Sequence, residues 1–308
     1  MGPLRLFGMW YHPLYTDGIH PEARFPRDRY RLLLDRLGAS DARHLMTLNQ
    51  PEPITRELLL LAHDEDYIDR FLAGELTEKE EKRIGLTPWT PAMINRTQVL
   101  MGGAVEATEY ALENGGMAGN MAGGTHHAHT DFGSGYCVFN DLAVCALHAL
   151  ENLRVERVAI VDLDVHQGDG TATILADEPR ALTVSVHCST NFPFRKSNSD
   201  HDLSVPPAAG DEVYLATVRE ALGICLEFNP DLILYQAGVD ALEADALGKL
   251  NVTREGMAQR NHLVFEAAVS SNIPLVVFMG GGYAKPIDAS LDAFYDLFTD
   301  AIAWNQRY

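Results

Sequence analysis

Four short apolar runs, Val158–Val161, Ala181–Val186, Leu232–Tyr235 and Pro274–Met279, each run into polar or glycine residues. Between and after them lie stretches of helical spacing: a short one near Thr171–Leu175, then Asp211–Phe228, Arg254–Ala268 and Asp288–Asn305. Apolar runs without polar alternation suit strands covered on both faces, and helical crossovers between them make the strands parallel. The pattern predicts an α/β fold, a mostly parallel sheet with helices on both faces. No composition change, long linker or internal repeat divides the chain, so residues 1–308 are expected to form a single domain.

The first half reads less regularly. Leu4–Trp10 is expected as a strand, Arg27–Leu37 as a helix, Thr55–Leu61 and Asp64–Leu72 as short helices, and Thr77–Arg83 as a charged, exposed stretch. Pro91–Leu112 predicts a long helix ended by Gly115-Gly116, and Asn140–Leu150 another that Asn140 or Asp141 caps. The polar segment Tyr11–Pro26 suits either a cover over an active-site mouth or a mobile surface connection.

In open α/β sheets the carboxyl ends of the strands carry the site. Here those ends deliver Asp162, Asp164 and His166, then Ser185 and His187, then Asp240, and finally Gly280-Gly281-Gly282-Tyr283. Asp164 and His166 are two apart, so a strand would turn both side chains to one side. With Asp240 they offer three ligands to one divalent ion and leave a position open for water. His126 and His127 lie in a glycine-rich loop, and Asp162 and Asp169 are placed to hold one imidazole each, fixing its tautomer. A tyrosine hydroxyl at Tyr283 suits an oxygen that becomes negative in a tetrahedral intermediate. The glycine triplet lacks the company of a phosphate-binding motif and instead brings Tyr283 into the cleft. Gly135-Tyr136 and Asn191–Phe194 supply walls for the methylenes of an extended side chain. His129 reads as solvent-facing, and Asp231 as a surface or capping residue.

Charge and composition limit the alternatives. Forty-three acidic against 24 basic residues give a net charge of −19, and no Lys/Arg cluster offers a footprint for direct nucleic-acid binding. A cationic substrate suits that field. No apolar run approaches the roughly 20 residues of a membrane span, and no cationic leader opens the chain, so a soluble cytoplasmic protein is expected. Cys137, Cys145, Cys188 and Cys225 form no CxxC pair and are expected as reduced, buried thiols.

Taken together, THHAHTDFGSGYCVFND (Thr125–Asp141), VDLDVHQGDG (Val161–Gly170), VSVH (Val184–His187), AGVDA (Ala237–Ala241) and GGGY (Gly280–Tyr283) resemble the zinc-dependent histone deacetylase family of the arginase and deacetylase group, most of all its short bacterial-type class IV members. The resemblance implies a three-layer α/β/α domain that hydrolyses an N-acyl amide. It implies one Zn²⁺ on Asp164, His166 and Asp240, a catalytic pair His126 and His127 backed by Asp162 and Asp169, and Tyr283 on the oxyanion. His127 is taken as principal base and later acid, with His126 as its electrostatic partner. Gly135, Tyr136 and Phe194 would line the acyl-lysine channel, together with the Gly281-Gly282 backbone. A structural K⁺ would sit on Asp162, Ser185 and the backbone of Asp164 and His166. The segment Cys188–Pro207 matches the family's wall-forming loop only loosely, which leaves the acyl-chain length open. Acyl-lysine in a protein is the expected substrate. The alternatives are a small acetylated amine or polyamine and, further off, an inactive metal-binding interaction protein. Oligomeric state is not legible in the sequence.

Overall fold

The structure is a computed structural model and describes residues 4–308. Among the described residues there are eight strands, separated by helices except that β5 runs on to β6 through a loop: β1 (Phe7–Trp10), β2 (Met46–Asn49), β3 (Met117–Asn120), β4 (Val158–Asp162), β5 (Ala181–Cys188), β6 (His201–Val205), β7 (Leu232–Gln236) and β8 (Leu275–Phe278). They form one sheet in the order β2-β1-β3-β8-β7-β4-β5-β6, and every neighbouring pair is parallel. The expected mostly parallel sheet is therefore parallel throughout its named strands. Every residue of β4, β5, β7 and β8 is buried, which is why these strands read as unbroken apolar runs.

The helices are α1 (Leu14–Asp17), α2 (Arg29–Gly38), α3 (Arg56–Leu59), α4 (Glu65–Ala73), α5 (Glu78–Ile84), α6 (Ala92–Asn114), α7 (Asp141–Asn152), α8 (Asp169–Ile174), α9 (Asp211–Phe228), α10 (Arg254–Ser270) and α11 (Asp288–Trp304). In one layer α2, α11, α10 and α9 pack in series; in the other α1 packs on α6 and α6 on α7, with α3 and α8 each against α7. The sheet lies between them, giving the three-layer α/β/α architecture. Phe294 and Phe298 of α11 and Leu142 and Val144 of α7 are fully buried, as are Leu234 and Val276 in the central strands.

Several elements depart from the sequence expectation. The charged stretch Thr77–Arg83 is helical: Thr77 and Glu80 form a reciprocal capping box, acidic residues occupy the first turn of α5, and Lys82 and Arg83 occupy its last. These charges match the helix dipole at both ends, and a reading based on apolar periodicity does not register that signal. β3 is four residues long and includes Gly119, and β6 is a polar edge strand; neither carries an apolar run. β4 ends at Asp162, so Asp164 and His166 lie beyond it in a loop, and strand alternation is not what brings their side chains together.

Candidate active site

The strand order explains why residues far apart in sequence meet. β3, β8, β7 and β4 are consecutive in the sheet. Their carboxyl ends lead into His126-His127, Gly281–Tyr283, Asp240 and Asp162–Asp169 respectively. All four segments leave the same edge of a parallel sheet, where the connections diverge to either side.

Two buried arginines shape the loops after β7 and β8. Arg260 of α10 donates to the carbonyls of Ala237 (3.1 Å) and Gly238 (2.5 Å), and Arg29 of α2 donates to those of Gly280 (3.0 Å) and Gly282 (3.2 Å). Each guanidinium satisfies carbonyls that have left the sheet ladder and fixes the path on which Asp240 or Tyr283 is carried. On the far side, buried Asp141 accepts from the backbone N–H of Gly124 (2.8 Å) and Thr125 (2.7 Å), holding the loop that leads to His126. His63 holds the exit of that loop. Its Nδ1–H donates to the His129 carbonyl (3.0 Å), and its Nε2 accepts from Asn140 N–H (2.9 Å).

Among the described residues, Asp164, His166 and Asp240 form a cluster whose ligand atoms all lie within 4.8 Å of one another. His166 Nδ1 is 3.0 Å from Asp164 Oδ1 and 3.1 Å from Asp240 Oδ2. The remaining oxygens are tied down: Asp164 Oδ2 accepts from Gly281 N–H (2.9 Å) and Asp240 Oδ1 from Val165 N–H (2.9 Å). A side chain on Gly281 would collide with both carboxylates, so the glycine lets the backbone approach. Burial raises the Asp240 carboxyl, and the nearby Asp164 charge adds to the effect. Burial acts the same way on Asp164 but is overridden by the His126 and His166 imidazoles, which hold it well below the usual carboxylate range. Two buried carboxylates sharing one imidazole proton form an arrangement that a divalent cation would satisfy, and oxygen, nitrogen, oxygen is a donor set that zinc accepts.

Beside this cluster stand the paired histidines. His126 Nδ1–H donates to Asp162 Oδ2 at 2.7 Å, and His127 Nδ1–H donates to Asp169 Oδ1 at 2.6 Å. Their ring centroids are 4.0 Å apart, and His127 lies 5.8 Å from the His166 ring. Their electrostatics differ. Burial opposes charge on His126, but the adjacent Asp162 and Asp164 carboxylates outweigh it and push the imidazole up to about 9. Burial and the positive neighbour His126 lower His127 to about 4 in spite of Asp169. The pair thus contains one imidazole disposed to hold a proton and one disposed to stay neutral with Nε2 free to accept.

A cavity of about 480 Å³ opens onto these groups, with Gly135, Tyr136, His127, His166 and Tyr283 in its wall. Gly135 has φ +53°, and a side chain there would press on the His127 ring. Tyr136 and Tyr283 face each other with centroids 5.8 Å apart. Phe194 lines the cavity too, but it is 90% exposed at the rim. The deeper aromatic wall is Phe192, edge-on to His127 at 4.9 Å. Gly281 borders a smaller cavity beneath the site, whereas Gly282 lines neither and turns its carbonyl to Arg29.

The segment Tyr11–Pro26 fits neither expectation. It contributes no lining to the larger cavity; Phe25 backs the wall from behind, edge-on to Tyr136 (5.3 Å) and Tyr283 (6.1 Å). His129 is not merely a loop residue, because its Nε2 donates to the second Asp169 oxygen (3.3 Å) while its ring stacks on Phe132 at 4.4 Å. Asn191 was seen only as part of an aromatic stretch. It bridges two walls, donating to the Leu247 carbonyl (2.8 Å) and accepting from Lys249 N–H (3.1 Å). Asp231 is an exposed surface residue as expected, and it ties down the loop before β4 by accepting from Glu156 N–H (3.0 Å) and Arg157 N–H (2.9 Å). The four cysteines are buried and free, and no described helix is long and apolar enough to cross a membrane.

Comparison with known proteins agrees with this arrangement. The chain is 42% identical over 282 residues to an uncharacterized protein of Picosynechococcus, covering 91% of this chain and 93% of that one. It is 34% identical to histone deacetylase 2 of Arabidopsis thaliana over 74% of this chain and 61% of that protein. It is 30% identical to the acetoin utilization protein AcuC of Bacillus subtilis over 79% of this chain and 68% of that protein. Relatives of both named kinds match, so the similarity does not single out the class IV deacetylases. The histone deacetylase domain model matches residues 21–297, and the chain belongs to that family of the deacetylase and arginase superfamily.

Proposed function

We propose that this chain is a zinc-dependent deacylase that hydrolyses an N-acyl amide of the acyl-lysine type, working as one catalytic domain over residues 1–308. The observation that carries the reading is the pair His126 and His127, each backed by its own carboxylate, set beside the Asp164–His166–Asp240 cluster at the inner end of a cavity. A Zn²⁺ held by those three residues would supply Lewis acidity toward the acyl carbonyl and acidify a water.

The protein's own groups divide the remaining work. His127, neutral and held by Asp169, accepts the proton of the attacking water at Nε2 and returns it to the leaving amine. His126, protonated beside Asp162, stabilises negative charge without having to move a proton. Tyr283 donates its hydroxyl proton as a hydrogen bond to the developing oxyanion; its phenol is buried and held well above the usual range, so the proton stays available for donation. Gly135, Tyr136 and Phe192 hold the extended side chain, with Phe194 at the rim.

Two finer elements belong to the same reading. A structural K⁺ on Asp162, Ser185 and the backbone of Asp164 and His166 is part of the reading, and the β4–β5 register that sets Asp162 opposite Ser185 is compatible with it. A cytoplasmic setting is supported by the four unpaired cysteines. Zinc-loaded protein is expected to release acid and free amine from an acetyl-lysine peptide. A panel of acetyl-lysine, longer acyl-lysine and acetylated polyamine substrates ranks the classes, and a metal-replete protein that cleaves none of them would overturn the proposal.

A further inference from the structure

The chain carries 43 acidic residues, yet none of the residues lining the cavity mouth is a carboxylate. Two are cations, Arg83 at the end of α5 and Lys249 in the loop after β7. Both are anchored. Arg83, in the last turn of α5, lies over the Phe132 ring with Cζ 4.6 Å from its centroid. Lys249 Nζ donates to the Thr190 carbonyl at 2.8 Å, and Lys249 N–H to Asn191 Oδ1 at 3.1 Å. A third cation, Lys196, stands close by, its Nζ donating to the Pro193 carbonyl at 2.8 Å.

Some exposed cations of this protein pair with carboxylates, as Arg56 does with Asp69 (2.7 Å), Arg180 with Glu178 (2.7 Å) and Arg254 with Asp296 (2.6 Å), whereas others that do not line the cavity, such as Lys79, Arg154 and Arg219, stand exposed without one among the described residues. Among the described residues, Arg83, Lys196 and Lys249 have no carboxylate within salt-bridge distance. What distinguishes Arg83 and Lys249 is their place: two anchored cations on a cavity that no carboxylate lines are positioned for an anion that arrives with the substrate. Beside Lys249 the exposed side chains of Phe194 (90%) and Leu247 (44%) form an apolar shelf, suited to methylenes between an amide and a carboxylate.

Resting on the deacylase reading, we propose that the mouth selects N-acyl amides whose amine side carries carboxylate groups. Two sources share that chemistry: an acyl-lysine flanked by Asp or Glu in a peptide, and a small N-acylated amino acid with a free carboxylate. The same cations turn away polyamines, whose charge is of the wrong sign, although the net charge of −19 taken alone would favour them.

The test compares kcat/KM of the zinc-loaded full chain on matched acetyl-lysine peptides flanked by Glu, Gln or Lys. Alongside them run Nα-blocked acetyl-lysine as free carboxylate and as methylamide, and an acetylated spermidine. Exposed ion pairs are individually weak, so each change of flanking charge is expected to alter kcat/KM by about 1.5-fold to fivefold at low ionic strength, Glu best and Lys worst. The differences should shrink at 0.5 M salt, where screening is strong. Preference among the peptides alone points to a protein substrate, and preference between the small pair alone points to a free metabolite. The R83E/K249E double variant should invert the order, and R83Q/K249Q should flatten it. Equal rates for all flanks in the wild type, or a preference for Lys, would overturn the inference while leaving the deacylase reading intact. If no amide is cleaved, it is the deacylase reading that fails. The inference is then decided by fluorescence anisotropy with peptides bearing a non-hydrolysable ketone in place of the amide, where equal affinity for acidic and basic flanks would reject it.

Discussion

Replacing His63 separates the scaffold of the site from its chemistry. This histidine is buried, and both ring nitrogens are engaged, Nδ1–H with the His129 carbonyl at 3.0 Å and Nε2 with Asn140 N–H at 2.9 Å. Only the neutral ring satisfies both partners, because a proton on Nε2 would face the Asn140 N–H. Burial accordingly lowers His63 to about 4 from 6.5. The sign follows by linkage. Between these values the unfolded chain binds the proton and the folded one does not, so the contribution of His63 is fully present above pH 6.5 and is lost as pH falls toward 4. At 1.36 kcal/mol per pH unit the whole window is worth about 3 kcal/mol. His63→Leu leaves a buried N–H and a carbonyl without partners, at roughly 1–3 kcal/mol each, partly offset by the apolar side chain. At pH 7.5 the variant is expected to be about 2–4 kcal/mol less stable than wild type by urea denaturation followed through tryptophan fluorescence. At pH 4.5 the gap should narrow by about 2 kcal/mol, since the wild type has by then lost most of its advantage. A gap independent of pH would refute the assignment of His63 as a neutral clamp on the histidine loop.

Four further outcomes are expected. Tyr283→Phe should keep its fold and metal content while kcat falls by about two to three orders of magnitude, and near-wild-type turnover of an unactivated amide would remove the oxyanion role. His127→Ala should lower kcat far more than zinc affinity, and His126→Ala should be damaging but less so; metal-normalised kinetics decide, and loss of metal in either would return that histidine to the ligand set. Gly135→Ala forces a side chain into a backbone at φ +53° and against the His127 ring, so thermal unfolding should report a cost of about 1–3 kcal/mol together with reduced turnover. Zinc at about 1,000 times its Kd should stabilise the stripped wild type by about 4 kcal/mol and restore its turnover, whereas Asp240→Asn should show little of either in calorimetry and elemental analysis.

The charge distribution carries a related lesson. Net charge describes the field far from the surface, whereas a substrate at the mouth meets Arg83 and Lys249 within a Debye length of roughly 8 Å at physiological salt. A cationic substrate was a reasonable expectation from composition. Under the proposed preference for carboxylate-bearing substrates the local arrangement reverses it, because the folding of α5 places the basic end of a charge-patterned segment at the cavity.

Sequence alone determined the elements whose signal is local. Buried parallel strands must be apolar along their whole length, so β4, β5, β7 and β8 were legible, and so were the long helices between them. The residue types of the candidate site were legible as well, because metal ligation and proton transfer admit few side chains, and the structure brings those residues together just past the strand ends. Tertiary structure decided what depends on neighbours distant in sequence. β3 and β6 exist through pairing with β8, β1 and β5 rather than through any apolar run of their own. The sheet order, which no single segment encodes, puts the loops after β3, β8, β7 and β4 side by side. Phe192 rather than Phe194 packs against His127, because loop geometry and not residue type selects which of two aromatics turns inward. Arg29, Arg260, His63 and Asp141 hold the site loops through hydrogen bonds to backbone atoms. A backbone partner leaves no mark in the sequence, so these roles emerge only once the chain is folded.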